Sequence, residues 1–143
     1  MGKVRDILRV KGTQVFSVAP DVSIFDAIAI MSDKNVGGLL ITEGGSPIGI
    51  FTERDYARKV VLHGKNSKTT PLRYAMTSKL ITVTSDYTVE DCMELMTVKK
   101  IRHLPVVDNG QVTGLISIGD VVRFVINEQR EIIDQLEHYI TGH

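Results

Sequence analysis

The chain repeats itself. When the sequence is shifted by 65 positions, the difference between Asp86 and Asp21, residues of the same type fall on one another without a gap. Glycines and aspartates that recur at one fixed offset indicate that one backbone path is used twice. A unit of about 60 residues buries little surface, so two such units are expected to stabilise each other. The matched pairs include Asp26 with Asp91, Met31 with Met96, Leu39 with Leu104, Gly49 with Gly114, Asp55 with Asp120, and Arg58 with Arg123.

The segments that precede the two repeats also match. Residues 4–8 correspond to residues 72–76, so that Val4 falls on Leu72 at an offset of 68 positions. A polar, turn-forming segment, residues 64–71, separates the repeats and is predicted to be the linker. We therefore predict one domain over residues 1–66, which is repeat 1 with its N-terminal arm, and another over residues 67–143, which is repeat 2 with a C-terminal helical extension.

Each repeat has the pattern strand, helix, strand, strand, helix. Ser23 and Thr88 each precede an aspartate by three positions, which is typical of a capped helix start. Gly-Gly and Asn-Gly pairs predict tight hairpin turns with positive φ. The predicted class is α/β (α+β), with two β-α-β-β-α repeats packed about a pseudo-twofold axis. The strands are expected at residues 15–18, 39–41 and 48–51, and at residues 80–83, 104–107 and 112–116.

Composition excludes several classes of protein. Seventeen basic residues balance 17 acidic ones, so no nucleic-acid partner is expected. Apolar runs fall short of the roughly 18 residues of a membrane span, and the start of the chain does not resemble a signal peptide, so we expect no membrane partner. A single cysteine, Cys92, is typical of a reducing compartment, and the cytoplasm is the expected location. No catalytic order of residues and no metal-ligand spacing is evident, so we predict that the chain is not an enzyme and needs no metal.

One further pattern lies near the C-terminus. Apolar residues at helical spacing predict a helix whose apolar stripe packs in the core or at a dimer interface. The stripe consists of Val122, Val125, Ile126, Ile132, Ile133, Leu136 and Ile140.

The motif that carries chemistry occurs twice, as residues 49–55 and 114–120: glycine, two apolar residues, Ser or Thr, two variable positions and Asp. A helix that begins at the hydroxyl residue offers free N–H groups and a partial positive charge to a phosphate. The aspartate offers two acceptors to a ribose diol. The same spacing is also a capping box, and it recurs at Ser23 and Thr88, so spacing alone leaves ligand binding and capping both open.

This repeated unit resembles the CBS (cystathionine-β-synthase-type) domain, and the tandem pair resembles a Bateman module. The resemblance rests on the two motifs, on residues 101–108 and on residues 75–77, and it covers about residues 4–126. Residues 49–59 are similar to stand-alone bacterial CBS-pair proteins. The resemblance implies a regulatory module that binds AMP, ADP, ATP or NAD(H), forms a homodimer by stacking its repeats, and acts through an effector protein or its own assembly.

The resemblance also implies two clefts, each with ribose and phosphate contacts from one repeat and an adenine bed largely from the other. Gly37 stands where the family often has a basic residue, so Arg54 is expected to compensate. One cleft is expected to use Asp120, Ser117, Leu115 and Arg102, with a bed from Lys11, Thr13, Phe16, Val36 and Gly37. The other is expected to use Asp55, Thr52, Arg54 and Arg58, with a bed from Thr77, Ser78, Ile81 and Ile101.

A rival hypothesis is a structural dimerisation module without a ligand. In that case the hydroxyl and aspartate residues of both motifs are helix caps only, and side chains close the clefts.

Overall fold

The computed structural model describes residues 2–142. Short turns of π-helix (Tyr56–Val61) and 3₁₀-helix (Leu72–Tyr74) supplement the regular elements. The helices are α1 (Val4–Lys11), α2 (Ile24–Lys34), α3 (Glu53–Asp55), α4 (Val89–Lys99) and α5 (Ile118–Thr141). The strands are β1 (Ser17–Val18), β2 (Gly38–Glu43), β3 (Ser46–Thr52), β4 (His103–Asp108) and β5 (Gln111–Ser117).

The chain forms two compact units. The central unit is Val15–Ile81, and the terminal unit joins the residues up to Gln14 with those from Thr82 onward. These units do not follow the predicted boundary between residues 66 and 67, because each repeat gives up the arm that precedes it. The arm of repeat 1 belongs to the unit of repeat 2, and the arm of repeat 2 belongs to the unit of repeat 1.

Each repeat contains the predicted antiparallel hairpin, β2–β3 in the central unit and β4–β5 in the terminal unit. The central residues of both turns, Gly44-Gly45 and Asn109-Gly110, have positive φ, as the turn chemistry predicts. The register shifts after Ile41 in one hairpin and after Val106 in the other, which are equivalent positions of the repeat. The duplication therefore extends to an irregularity of the backbone.

The first strand predicted for repeat 2 is absent from the described residues. In the central unit β1 runs parallel to β2, and Leu40 N–H donates to Phe16 C=O. In the terminal unit residues 80–83 form only an isolated bridge between Val83 and Val106. Pro105 occupies the position equivalent to Leu40 and has no N–H to donate, so the ladder cannot extend to Ile81.

Each arm packs against the glycine that opens the chemical motif. A Cβ placed on Gly114 would lie 2.6 Å from Cδ2 of Leu8, and one placed on Gly49 would lie 2.7 Å from Sδ of Met76. Leu8 and Met76 are equivalent positions of the two arms. The motif glycines thus make room for the arms.

A separate core lies in each unit. Fully buried Phe51 and Leu72 belong to the core of the central unit, and Leu104 and Ile116 are fully buried in the terminal unit. Cys92 is also fully buried, and this burial, together with the nearby Asp91, raises the pKa of its thiol to about 11. Cys92 is therefore a small apolar core residue rather than a nucleophile.

Helix α5 is the longest element. Val121 is buried, whereas residues 129–142 are all exposed. Among the described residues, no helix is both long and apolar enough to cross a membrane.

Candidate functional site

Asp120 lies in the first turn of α5, where β5 ends and the helix begins. The Ser117 side chain accepts a hydrogen bond from Asp120 N–H at 3.2 Å. Oδ2 of Asp120 in turn accepts hydrogen bonds from Ser117 N–H at 2.8 Å and from Ser117 Oγ at 3.0 Å. This is a complete capping box, and the carboxylate faces its own helix end.

Two cations also hold Asp120. Lys11 Nζ lies 2.6 Å from Oδ2, and Arg123 NH2 lies 2.8 Å from Oδ1. Burial alone would raise the pKa of this carboxyl, but hydrogen bonds from Lys11 and Ser117 outweigh it, and the pKa lies below its ordinary value of 3.8. Asp120 is therefore a charged, nearly buried acceptor that is tied to the arm helix α1.

An open cavity borders this carboxylate. Its volume is about 390 Å³, and Lys11, Asp120 and Arg123 contribute its charged wall nearest the cap. Ile7, Val10 and Phe124 provide apolar surface, and Asn127, Glu128 and Glu131 complete the lining. The cavity has the size of a small-molecule site and places apolar, cationic and acceptor groups together.

Asp55 has the equivalent position in the central unit. Thr52 caps α3 in the same way, because Thr52 Oγ1 accepts from Asp55 N–H and Asp55 Oδ2 accepts from Thr52 N–H at 3.0 Å. Thr77 Oγ1 donates to Asp55 Oδ1 at 2.9 Å. Lys59 Nζ lies 3.2 Å from the same oxygen and also donates to Met76 C=O at 3.3 Å.

In both units, then, an aspartate binds its own helix cap and a lysine, and it contacts the adjacent arm through Lys11 in the terminal unit and through Thr77 in the central unit. Lys11 comes from the arm in the terminal unit, whereas Lys59 comes from the helical segment itself in the central unit. The motif is duplicated, but the cation is supplied by a different part of the chain in each unit.

The structure places the remaining predicted site residues as follows. Lys11 also donates to Leu115 C=O, and Arg102 C=O accepts from Ile118 N–H at the start of α5. Gly37 C=O accepts from Glu53 N–H at the start of α3. Thr13, Ser78, Arg58 and Arg102 are exposed, and Phe16, Val36, Arg54, Ile81, Ile101 and Leu115 are half-buried.

The predicted clefts draw on both units. Phe16, Val36 and Gly37 lie in the central unit, whereas Asp120 lies in the terminal unit. Ile101 lies in the terminal unit, whereas Asp55 lies in the central one. The adenine beds that use these residues remain predictions.

Two cationic side chains that bind the motif aspartates, Arg123 and Lys59, are not among the site residues predicted from the sequence. Arg123 is equivalent to Arg58, an expected residue of the Asp55 cleft, and lies three positions after Asp120. Lys59 lies four positions after Asp55, a spacing that brings side chains together on one helical face. Helical spacing around each aspartate was the signal that could have found both.

The geometry gives a pH-dependent stability. Because the pKa of Asp120 is depressed in the folded state, its charged carboxylate stabilises that state above about pH 4. This stabilisation is lost as the pH falls through the folded-state pKa. We expect the free energy of unfolding, measured in urea between pH 6 and about pH 3, to fall less steeply for Asp120→Asn than for the wild type. Asp134→Asn, which also removes one carboxyl group from α5 but at an exposed position, is the control. Equal slopes for Asp120→Asn and the wild type would refute this assignment.

Comparison with known proteins gives a consistent result. The family model for the CBS domain matches residues 4–62 and again residues 72–127. The mitochondrial CBS domain-containing protein CBSX3 of Arabidopsis thaliana is 40% identical over 148 residues, which cover 97% of this chain and 72% of that protein.

Solved structures agree with this match. A CBS-domain protein from Burkholderia ambifaria, to which a signal-transduction role is ascribed, is 44% identical with a TM-score of 0.86, and the match covers 89% of this chain and 96% of that one. The CBS domain pair of protein MJ0100, solved with 5′-methylthioadenosine and S-adenosyl-L-methionine, is 26% identical with a TM-score of 0.78. That match covers 90% of this chain and 98% of the other.

Proposed function

The chain belongs to the CBS-domain family, with one copy in each sequence repeat, and from that membership we propose that it is a regulatory module that binds an adenosine nucleotide. The ligand is AMP, ADP, ATP or NAD(H), and it is bound without turnover. The output runs through a partner protein or through the assembly state of the chain. The adenosine-containing ligands of the MJ0100 pair support the ligand class.

The observation that carries this proposal is the cavity beside Asp120. A carboxylate accepts two hydrogen bonds from a ribose diol, and the cations Lys11 and Arg123 match the charge of a phosphate. The apolar surface from Ile7, Val10 and Phe124 gives the ligand a non-polar contact.

Binding at this cavity is expected to exchange the partners of Asp120. Its oxygens accept from Ser117, Lys11 and Arg123, so a ribose diol has to take the place of at least one cation. A released Lys11 can pair with the phosphate of the ligand instead. Because Lys11 belongs to α1, ligand binding then changes what anchors the arm, and the ligand favours the arm position to which it binds more tightly.

A second candidate function is a structural module without a ligand. It is favoured by the capping boxes themselves, since both Asp55 and Asp120 satisfy the amides of their own helix starts. Thr88 and Asp91 form the same box at α4. Under this hypothesis the motif aspartates contribute to stability only.

A ligand screen separates the two functions. We expect thermal unfolding with AMP, ADP, ATP, NAD, NADH, S-adenosylmethionine or 5′-methylthioadenosine to show stabilisation by at least one adenosine compound, whereas GTP has little effect. A ligand at 100 times its Kd stabilises by about 2.7 kcal/mol, which shifts the Tm by on the order of 5 °C or more.

Calorimetry of the stabilising compound then counts its sites. Two unequal sites are expected, because Lys11 and Lys59 come from different elements. If no compound shifts the Tm, the structural module stands, and if the nucleotide is consumed, the chain is an enzyme.

A further inference from the structure

The C-terminal half of α5 extends past the segment that matches the family model. Residues 129–142 are all exposed, and the match to the family model ends at residue 127. Apart from Glu131, which lines the cavity beside Asp120, the nucleotide proposal uses none of these residues. Yet the segment is rich in large apolar side chains, which are costly to leave in contiguous contact with water.

These side chains follow a heptad. Six residues alternate at spacings of four and three, which is the a/d seam of a coiled coil. Ile126, Ile133 and Ile140 occupy the a positions, and Val122, Gln129 and Leu136 occupy the d positions. From Asn127 to His138 the outward b, c and f positions carry polar residues, namely Asn127, Glu128, Glu131, Asp134, Gln135 and His138.

The exposed apolar area is sufficient for a stable pair. Ile133 is 52% exposed, Leu136 56% and Ile140 79%. Ile132 and Tyr139, at the flanking g positions, are 50% and 88% exposed. Together with the remaining seam residues, these side chains offer on the order of 800 Å² per copy, which is the contribution of one partner to a standard interface.

We propose that this half of α5 pairs with the same segment of a second copy as a parallel, in-register, two-stranded coiled coil. Within a parallel coiled coil, isoleucine at a with leucine at d, as at Leu136, favours two strands. In-register pairing brings the two Gln129 amides together, whereas an antiparallel pair over the whole seam sets Gln129 against Ile133 and leaves its amide without a partner.

The charges agree with this pairing. Arg130 and Glu137 occupy the e positions, and in a parallel pair they face the g positions of the other copy, Val125 and Ile132. No like charges therefore meet across the interface. The pairing is separate from the stacking of repeats that the family resemblance predicts.

Disulfide trapping tests the proposal. Gln129→Cys places a thiol at a d position, where the Cα atoms of a parallel pair approach closely enough for a disulfide. Gln135→Cys makes the same change at an outward c position and is the matched control. The native thiol, Cys92, is buried and does not interfere.

After oxidation of the full chain with oxidised glutathione, we expect at least about fivefold more disulfide-linked dimer for Gln129→Cys than for Gln135→Cys, because pairing raises the effective thiol concentration. Adding Ile133→Glu to Gln129→Cys is expected to remove that excess. Circular dichroism at the same concentration checks that each variant is folded. Folding is expected because Gln129, Ile133 and Gln135 are all exposed. Equal disulfide linkage for the two single variants, or linkage that survives Ile133→Glu, overturns the coiled coil. That result is expected if the chain dimerises only through stacking of its repeats.

Discussion

Replacement of Asp120 by alanine is expected to weaken nucleotide binding at the terminal unit by about 100-fold or more, because a ribose diol loses both charged acceptors at once. The variant is compared with the wild type by titration calorimetry, using the compound that stabilises the wild type most. The side chain is also a cap, so its removal costs on the order of 1 kcal/mol of stability in addition. Stability alone therefore does not separate the two roles of Asp120.

Asp91→Ala supplies the control within the same unit. Asp91 N–H donates to Thr88 Oγ1 at 3.0 Å, and Asp91 Oδ2 accepts from Thr88 N–H at 3.0 Å, so it makes the same capping box at α4. Asp91→Ala is expected to lose a similar amount of stability and to bind the nucleotide as the wild type does. If Asp120→Ala also retains wild-type affinity, the carboxylate is a cap only and the nucleotide proposal fails.

Gly114→Ala is expected to destabilise the chain by about 1–3 kcal/mol, although it adds a single methyl group. The three nearest atoms to that methyl all belong to the Leu8 side chain, the closest at 2.6 Å, so the buried Leu8 side chain or the arm helix α1 that carries it has to shift. Gly119→Ala, five residues further on, meets only the end of Arg123 and Ser117 Oγ, at 3.4 Å or more. It lies in helix α5 and is expected to be neutral or slightly stabilising. Urea unfolding of both variants measures the difference.

Shortening Leu8 tests the cause. In a double-mutant cycle, Leu8→Ala and Gly114→Ala together are expected to cost less than the two changes added, because the shorter side chain makes room for the methyl. At Gly49 the same strategy with Met76→Ala is expected to give a smaller rescue, since Thr77 C=O also lies 3.1 Å from the added Cβ. Strict additivity at Gly114 would show that the arm contact does not explain the loss.

Local features of the fold could be predicted from the sequence. Ser23 and Thr88 cap helices through hydrogen bonds that span three positions, and Asn109-Gly110 adopts the positive φ of a tight turn. Such features depend on a few neighbouring residues, so a sequence pattern contains all of their physics. The prediction of a strand at residues 80–83 was wrong for an equally local reason, because Pro105 lacks the N–H that Leu40 supplies at the equivalent position.

The environment of the motif aspartates could be predicted only in part. Thr52 and Ser117 were expected beside Asp55 and Asp120, because they are close in sequence. The number of donors that already bind each carboxylate could not be predicted. Helical spacing contains a signal for Lys59 and Arg123. Periodicity does not relate residues 109 positions apart, so Lys11 was expected in the cleft of Asp120 only from the family resemblance.

The sequence by itself determined that one strand–helix–strand–strand–helix plan is used twice and where each helix and hairpin begins, because repeats, caps and turns are read from neighbouring residues. Only the tertiary structure decided that each repeat's unit takes the arm of the other repeat, with Leu8 on Gly114 and Met76 on Gly49. The two arms are similar, so periodicity does not distinguish which unit each one joins. That choice depends on packing between segments that are distant in the chain, and it brings Lys11 to Asp120.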